Sequence, residues 1–122
     1  MKANELFVGA YVLYMGKPRK IRSIEVDKDG YYYIKFFGKN DVIVSPDVLS
    51  PIPTTTKILE KNGFIACQYW HELHCGDAII QAQLPHIRMK NGEKIFESDS
   101  CCYLHQLQQA LCLCEIEKEI IL

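Results

Sequence analysis

The segment after residue 102 has the clearest hydrophobic periodicity in the chain. Its apolar positions have the spacing of a helix that buries one face: Tyr103, Leu104, Leu107, Ala110, Leu111 and Cys114. The residues left on the other side are His105, Gln108, Gln109 and Cys112. We therefore predict a helix over 103–114 that docks through its leucines, with caps available at 98–100 and with the uncharged polar side facing water or a partner.

The first part of the chain shows no helical period and alternates short apolar stretches with turn residues. Strands are predicted over 11–15, 20–26, 31–37 and 41–44, with turns at 16–18, 27–30 and 38–40. Prolines at 46, 51 and 53 then break the chain. So many short strands favour a small SH3-like barrel, because closure removes sheet edges that would otherwise be unprotected.

The remaining residues predict a short helix over 54–62, which Thr54, Thr55 or Thr56 can cap and which ends at Asn62-Gly63. Strands follow over 64–73, 77–84, 86–90 and 93–96, with a hairpin signal at Asn91-Gly92 and a terminal strand from Glu119. The predicted fold class is α+β: an N-terminal SH3-like β-barrel lobe (1–53) followed by a β-meander lobe with one long C-terminal helix (54–122), together forming one compact unit.

Composition excludes several classes of partner and compartment. The chain has 14 Lys and Arg against 15 Asp and Glu, so no overall field attracts nucleic acid or an anionic membrane. It has neither an apolar run long enough to span a bilayer nor a secretory signal pattern, so we expect a cytoplasmic protein without membrane contact. Its six cysteines would be reduced there, and neither a disulfide nor zinc is expected to hold the fold.

Two clusters contain metal-ligand residue types without the spacing of a metal site. His71-Glu72-Leu73-His74-Cys75 has a cysteine where a zinc-protease helix needs its second histidine, four residues after the first. Strand geometry also places His71 and His74 on opposite faces. Cys101, His105 and Cys112 share one stripe of the predicted helix, but paired ligand knuckles are missing, so packing is the favoured interpretation. The six thiols have no activating partner in the sequence, which argues against a thiol enzyme. The glycines are scattered rather than clustered ahead of a helix, so we expect no bound nucleotide or other cofactor.

A basic and aromatic hairpin is the most suggestive feature of the first half. Lys17, Arg19, Lys20 and Arg22 precede a strand with Tyr31, Tyr32, Tyr33, Phe36 and Phe37, a combination that can hold single-stranded nucleic acid. Alternation buries either Tyr32, Ile34 and Phe36 or Tyr31 and Tyr33. Carboxylates at Asp27, Asp29 and Asp41 offset part of the positive potential.

Both ends of the chain also resemble a known family. The matching residues are Ala3-Asn4-Glu5-Leu6, Tyr11-Val12-Leu13, Gly16, Pro51-Ile52-Pro53, Ile58-Leu59, Gly63-Phe64 and the segment Tyr103-Leu104-His105-Gln106-Leu107-Gln108 with Ala110-Leu111. They resemble small uncharacterised bacterial and phage or mobile-element proteins that end in a Tyr-Val-His-Gln-Leu-Gln helix. The resemblance implies a small intracellular protein and supplies no catalytic residue.

The functional expectation is a non-enzymatic binding or adaptor protein of phage or mobile-element type, with a protein as its partner. Arg19, Arg22, Tyr31 and Tyr33 are the predicted contact residues, because arginine and tyrosine are enriched at interface hot spots. The alternative is a nucleic-acid-binding module that uses the same hairpin. A zinc-dependent module using Cys101 and His105 is a third hypothesis.

Overall fold

Turn residues in the first half fold the chain into an antiparallel sheet. The computed structural model describes residues 1–38 and 42–122, which divide into unit 1 (Met1–Ile52) and unit 2 (Pro53–Leu122). The strands of unit 1 are β1 (Tyr11–Tyr14), β2 (Lys17–Val26), β3 (Tyr32–Phe36), β4 (Ile43–Val44) and β5 (Leu49–Pro51). Short 3-10 helices cover Ala3–Glu5 and Pro46–Val48. Lys39, Asn40 and Asp41, where a turn and a strand start were predicted, lie outside the described residues.

Alternation on β3 decides which side of unit 1 is buried. Ile34 and Phe36 are buried, whereas Tyr32 and Tyr33 are exposed at the start of the strand. Ile34 and Phe36 belong to a core whose other buried members are Leu6, Ala10, Val12, Ile21, Val44 and Leu49. The first of the two predicted faces is therefore the core face, although its Tyr32 remains 43% exposed.

The sheet of unit 1 is open, so the predicted SH3-like barrel is wrong. Its strand order is β4-β3-β2-β1-β5, and β4 and β5 stand at opposite ends of that order. These edge strands have two and three residues, which give few backbone groups for a closing ladder. Short edge strands are themselves a protection against unwanted pairing, so an open sheet of this size does not need closure.

Unit 2 contains a second open antiparallel sheet in chain order. Its strands are β6 (Ile65–Ala66), β7 (His71–Cys75), β8 (Ala78–Gln83), β9 (His86–Asn91) and β10 (Lys94–Ser98). Alternate residues of β8 and β9 are buried, and the register pairs Ile80 with Met89 and Ala82 with Ile87. Because buried and exposed residues alternate along these strands, one face of the sheet is apolar and buried.

Two helices complete unit 2. Helix α1 (Thr56–Lys61) is capped by Thr55, whose Oγ1 accepts a hydrogen bond from the Ile58 amide, and its end is followed by Gly63 at φ +91°. Helix α2 (Leu104–Leu113) is capped from within its first turn, where Gln106 Oε1 accepts hydrogen bonds from the Tyr103 and Cys102 amides. The predicted caps at 98–100 therefore lie too early. The predicted terminal strand is also wrong, since residues 116–122 are irregular.

The architecture as a whole is β-rich. Ten strands in two open sheets dominate the described residues, and α2 is only ten residues long. The predicted α+β class with a barrel lobe and a long helix is therefore wrong. Within α2, Leu104, Leu107 and Leu111 are buried as predicted. His105 is only 5% exposed, against the expectation that it lies on the polar side.

Candidate functional site

The turn between β2 and β3 is organised by one carboxylate. Asp27 Oδ1 accepts hydrogen bonds from the Asp29 and Tyr31 amides, and Asp27 Oδ2 accepts one from the Tyr33 hydroxyl at 2.9 Å. The Tyr31 amide contributes most to holding the pKa of Asp27 below its usual value, while the bond to Asp27 raises the pKa of Tyr33. Tyr33 therefore presents a ring whose hydroxyl is already bound to a negative charge.

The structure does not bring the four predicted contact residues together. Tyr31 is 67% exposed, and Arg22 is also exposed. Arg19 pairs with the buried Val12 and places its guanidinium 4.7 Å from the centre of the Phe36 ring. Since Tyr33 pairs with the exposed Glu25, Arg19 and Tyr33 lie on opposite faces of the sheet. Arg19 covers the core through a cation–π contact rather than extending a tyrosine surface.

Tyr31 instead lines a cleft of about 530 Å³ in unit 1, together with Tyr32. The cleft is also lined by residues from the two 3-10 helices, including Lys2 and Glu5 near the first and Pro46 and Asp47 in the second. It thus combines two aromatic side chains with charges of both signs. No local sequence pattern indicates this cleft, because its walls come from segments more than a dozen residues apart.

The outer face of unit 1 holds a separate cationic and aromatic cluster. Lys20 Nζ lies 5.7 Å from the ring centres of both Tyr11 and Phe37. Farther along the same sheet, Lys35 Nζ forms an ion pair with Glu25 at 3.2 Å. On this face Lys20 therefore lies beside two aromatic rings, whereas the positive charge of Lys35 is paired with a carboxylate.

In unit 2, the histidines of β7 are separated as predicted for a strand. His71 pairs with the buried Ala82 and its Nε2 lies 3.0 Å from Glu60 Oε1, whereas His74 pairs with the exposed Ile79. The two imidazoles therefore occupy opposite faces. Among the described residues, no group of three or more His, Cys, Asp and Glu side chains is placed to hold a metal ion.

The second predicted cluster is also dispersed. Cys101 is buried ahead of α2, His105 is buried within it, and Cys112 is exposed. The prediction that these three residues share one stripe of the helix is therefore wrong. Burial, with a smaller contribution from Cys102, raises the pKa of Cys101 to about 11. A protonated thiol is a poor nucleophile, and the burial of Cys101 gives it a packing role.

Glu72 is the polar centre of the exposed face of the second sheet. Its Oε1 accepts hydrogen bonds from Gln81 Nε2 at 2.9 Å and from Trp70 Nε1 at 3.2 Å, and its Oε2 lies 2.9 Å from His74 Nε2. These contacts, with Gln81 the largest, lower the pKa of Glu72 to about 2. Sequence reasoning missed this centre, because it considered Glu72 only as part of a metal motif.

We expect a pH titration of Glu72, followed by side-chain NMR, to have its midpoint near 2. Because the folded pKa is lowered from 4.5, the stabilisation from this carboxylate is present above pH 4.5 and is lost as the pH falls toward 2. Gln81→Ala should raise the midpoint toward 4.5. Gln83→Ala, a change on the same strand at a residue without a bond to Glu72, should leave the midpoint unchanged. A midpoint of 4.5 in the wild type and in both variants would contradict the hydrogen-bond assignment.

Comparison of the chain with protein-family models, with curated proteins and with solved structures found no match. The phage or mobile-element family suggested by the two ends of the chain therefore stays a prediction. Within the described residues, neither helix is long and apolar enough to cross a membrane.

Proposed function

We propose that this protein is a non-enzymatic binding module that contacts a protein partner through the cleft of unit 1. The observation that carries the proposal is the position of Tyr31 and Tyr32 in a cleft of about 530 Å³ whose lining also includes Lys2, Glu5 and Asp47. Tyrosine supplies apolar area and a directional hydroxyl, the combination that is enriched at interface hot spots. The exposed Tyr31 is therefore the main anchor in this proposal.

The charges of the cleft favour a polypeptide over a nucleic acid as the occupant. Glu5 and Asp47 would lie against the phosphates of a bound strand, and Lys2 is the one lysine or arginine among the described residues that line the cleft. A polypeptide segment carries donors, acceptors and charges of both signs, so it can complement such a lining. Arg22 and Tyr33 do not line the cleft, so the proposal gives them no contact within it.

Titration of a purified partner tests this proposal. A protein that co-purifies with the full chain would be identified, purified and titrated against the wild type, Tyr31→Ala and Tyr69→Ala, the last being an exposed tyrosine of unit 2. Loss of a hot-spot tyrosine should weaken binding by roughly 30-fold or more, as truncations of about 2 kcal/mol do, whereas Tyr69→Ala should bind normally. An unchanged affinity for Tyr31→Ala would refute the cleft as the contact surface.

A nucleic-acid-binding module is the second candidate, because Lys20 lies between the rings of Tyr11 and Phe37 on the outer face of unit 1. Aromatic rings beside a cation can stack bases while neutralising phosphate. Binding of a single-stranded oligonucleotide that weakens steeply with salt and is reduced by Phe37→Ala, but not by Tyr31→Ala, would favour this candidate over the protein-binding one.

A further inference from the structure

The loop between β6 and β7 presents the only tryptophan of the chain next to a tyrosine. The Cys67 amide donates a hydrogen bond to the Trp70 carbonyl at 2.7 Å and closes the loop. Trp70 Nε1 donates to Glu72, and Gln68 Nε2 donates to the Tyr69 hydroxyl at 3.2 Å. Both rings are thus held by hydrogen bonds while Tyr69 remains 64% and Trp70 37% exposed.

A cleft of about 340 Å³ lies beside this loop, within the range of about 300 to 1,000 Å³ of small-molecule sites. Besides the two rings, its polar lining includes Thr56, Gln68, His71 and Gln83. None of the described residues that line it is Lys, Arg, Asp or Glu. The cleft therefore combines exposed aromatic faces with hydroxyl, amide and imidazole groups and lacks a charged side chain dedicated to a ligand.

We propose that this cleft binds a neutral saccharide. A sugar ring has an apolar C–H face that can stack on an indole or phenol ring, and it carries hydroxyls that both donate and accept hydrogen bonds. Glutamine amides and a threonine hydroxyl also donate and accept hydrogen bonds, so Gln68, Gln83 and Thr56 can bond to the hydroxyls at the edge of the sugar ring. The preformed loop lowers the ordering cost of binding, because Trp70 and Tyr69 are already fixed by their own hydrogen bonds.

The same lining disfavours other classes of ligand. A sugar phosphate or nucleotide would meet no lysine or arginine there, and it would lie near Glu60 and Glu72, which are bonded to His71 and Trp70. An apolar peptide would cover Gln68, Gln83 and Thr56 without satisfying their polar atoms, which costs free energy. A neutral ligand rich in hydroxyls avoids both penalties.

Fluorescence of the single tryptophan gives a direct test on the full chain. We would titrate the protein with maltotriose, cellotriose and N,N′,N″-triacetylchitotriose, and measure the same sugars by saturation-transfer NMR. At least one of them should produce a saturable change in Trp70 fluorescence and receive magnetisation from the protein. Tyr69→Ala should weaken that binding about three- to tenfold, as loss of one aromatic contact does. Gln83→Ala, at an exposed position, provides a second variant in case Tyr69→Ala does not fold, and it should also weaken binding.

Two controls separate this inference from the function proposed for unit 1. Tyr31→Ala should bind the sugar like the wild type, whatever its effect on a protein partner. Glucose 6-phosphate should bind no better than glucose. The inference is overturned if none of the three sugars binds by either method, if Tyr69→Ala and Gln83→Ala both bind with unchanged affinity, or if the phosphorylated sugar binds more tightly.

Discussion

Replacing Leu107 with alanine is expected to lower the free energy of unfolding by about 2 to 5 kcal/mol, the range measured for fully buried leucines. Leu107 is 0% exposed and lies in the middle of α2, between the buried Leu104 and Leu111. The substitution removes apolar area and leaves a cavity, because neighbouring side chains in a close-packed core relax only partly. Urea unfolding followed by the fluorescence of Trp70 would report the change within unit 2.

Leu113→Ala is the matched control for this prediction. Leu113 belongs to the same helix but is 63% exposed, and leucine and alanine differ little in helix propensity. We therefore expect its unfolding midpoint to stay close to that of the wild type. A Leu107→Ala protein that unfolds at the wild-type urea concentration would show that the apolar stripe of α2 does not contribute to the core.

The burial of α2 shows what hydrophobic periodicity can and cannot predict about a helix. The leucines at 104, 107 and 111 identify the buried face correctly, because their spacing is a local property of the chain. The same pattern wrongly places His105 on the polar side, since imidazole is not counted as apolar. Its ring stacks with that of Tyr103 at a centroid distance of 6.0 Å, which a pattern of apolar positions cannot reveal.

Strand prediction succeeded where alternation and turn residues agreed and failed where they conflicted. The β2–β3 turn and the strands β8 to β10 lie where their turn residues indicate. Strand β5 was missed because Pro51 suggested a break, yet proline is tolerated on an edge strand. The prediction also merged β6 with β7, because the loop at 67–70 contains neither glycine nor proline and is closed by a backbone hydrogen bond.

Neither the closure of the first sheet nor the cleft of unit 1 can be predicted from local patterns, because both depend on contacts between distant segments. Closure of a sheet requires its two edge strands to pair with each other, and the local sequences of β4 and β5 do not predict whether they pair. The cleft of unit 1 joins residues near positions 2, 31 and 47 in the same way. Arg19 illustrates the limit for a single residue: its chemistry suggested an exposed anchor, but its register opposite Val12 places it over Phe36.

Asn62 was read from the sequence only as a helix terminator, but its side chain also links two distant parts of unit 2. The residue is 3% exposed. Its Nδ2 donates hydrogen bonds to the carbonyls of Ile58 and Ile121, at 2.9 and 2.8 Å, and its Oδ1 accepts one from the Ile121 amide at 2.7 Å. One amide side chain thus satisfies both backbone groups of a residue that belongs to no strand or helix.

We expect Asn62→Ala to lower the free energy of unfolding by about 1 to 3 kcal/mol, because partly buried backbone groups lose their partners. Ile121→Ala is the matched control: its side chain is 57% exposed and its backbone still bonds to Asn62, so it should change stability by less than about 0.5 kcal/mol. Hydrogen exchange adds a local measurement, since the Ile121 amide should be protected in the wild type and in Ile121→Ala but exchange rapidly in Asn62→Ala. Equal protection of that amide in all three proteins would mean that the segment around Ile121 is held by other contacts, and the proposed link through Asn62 would be wrong.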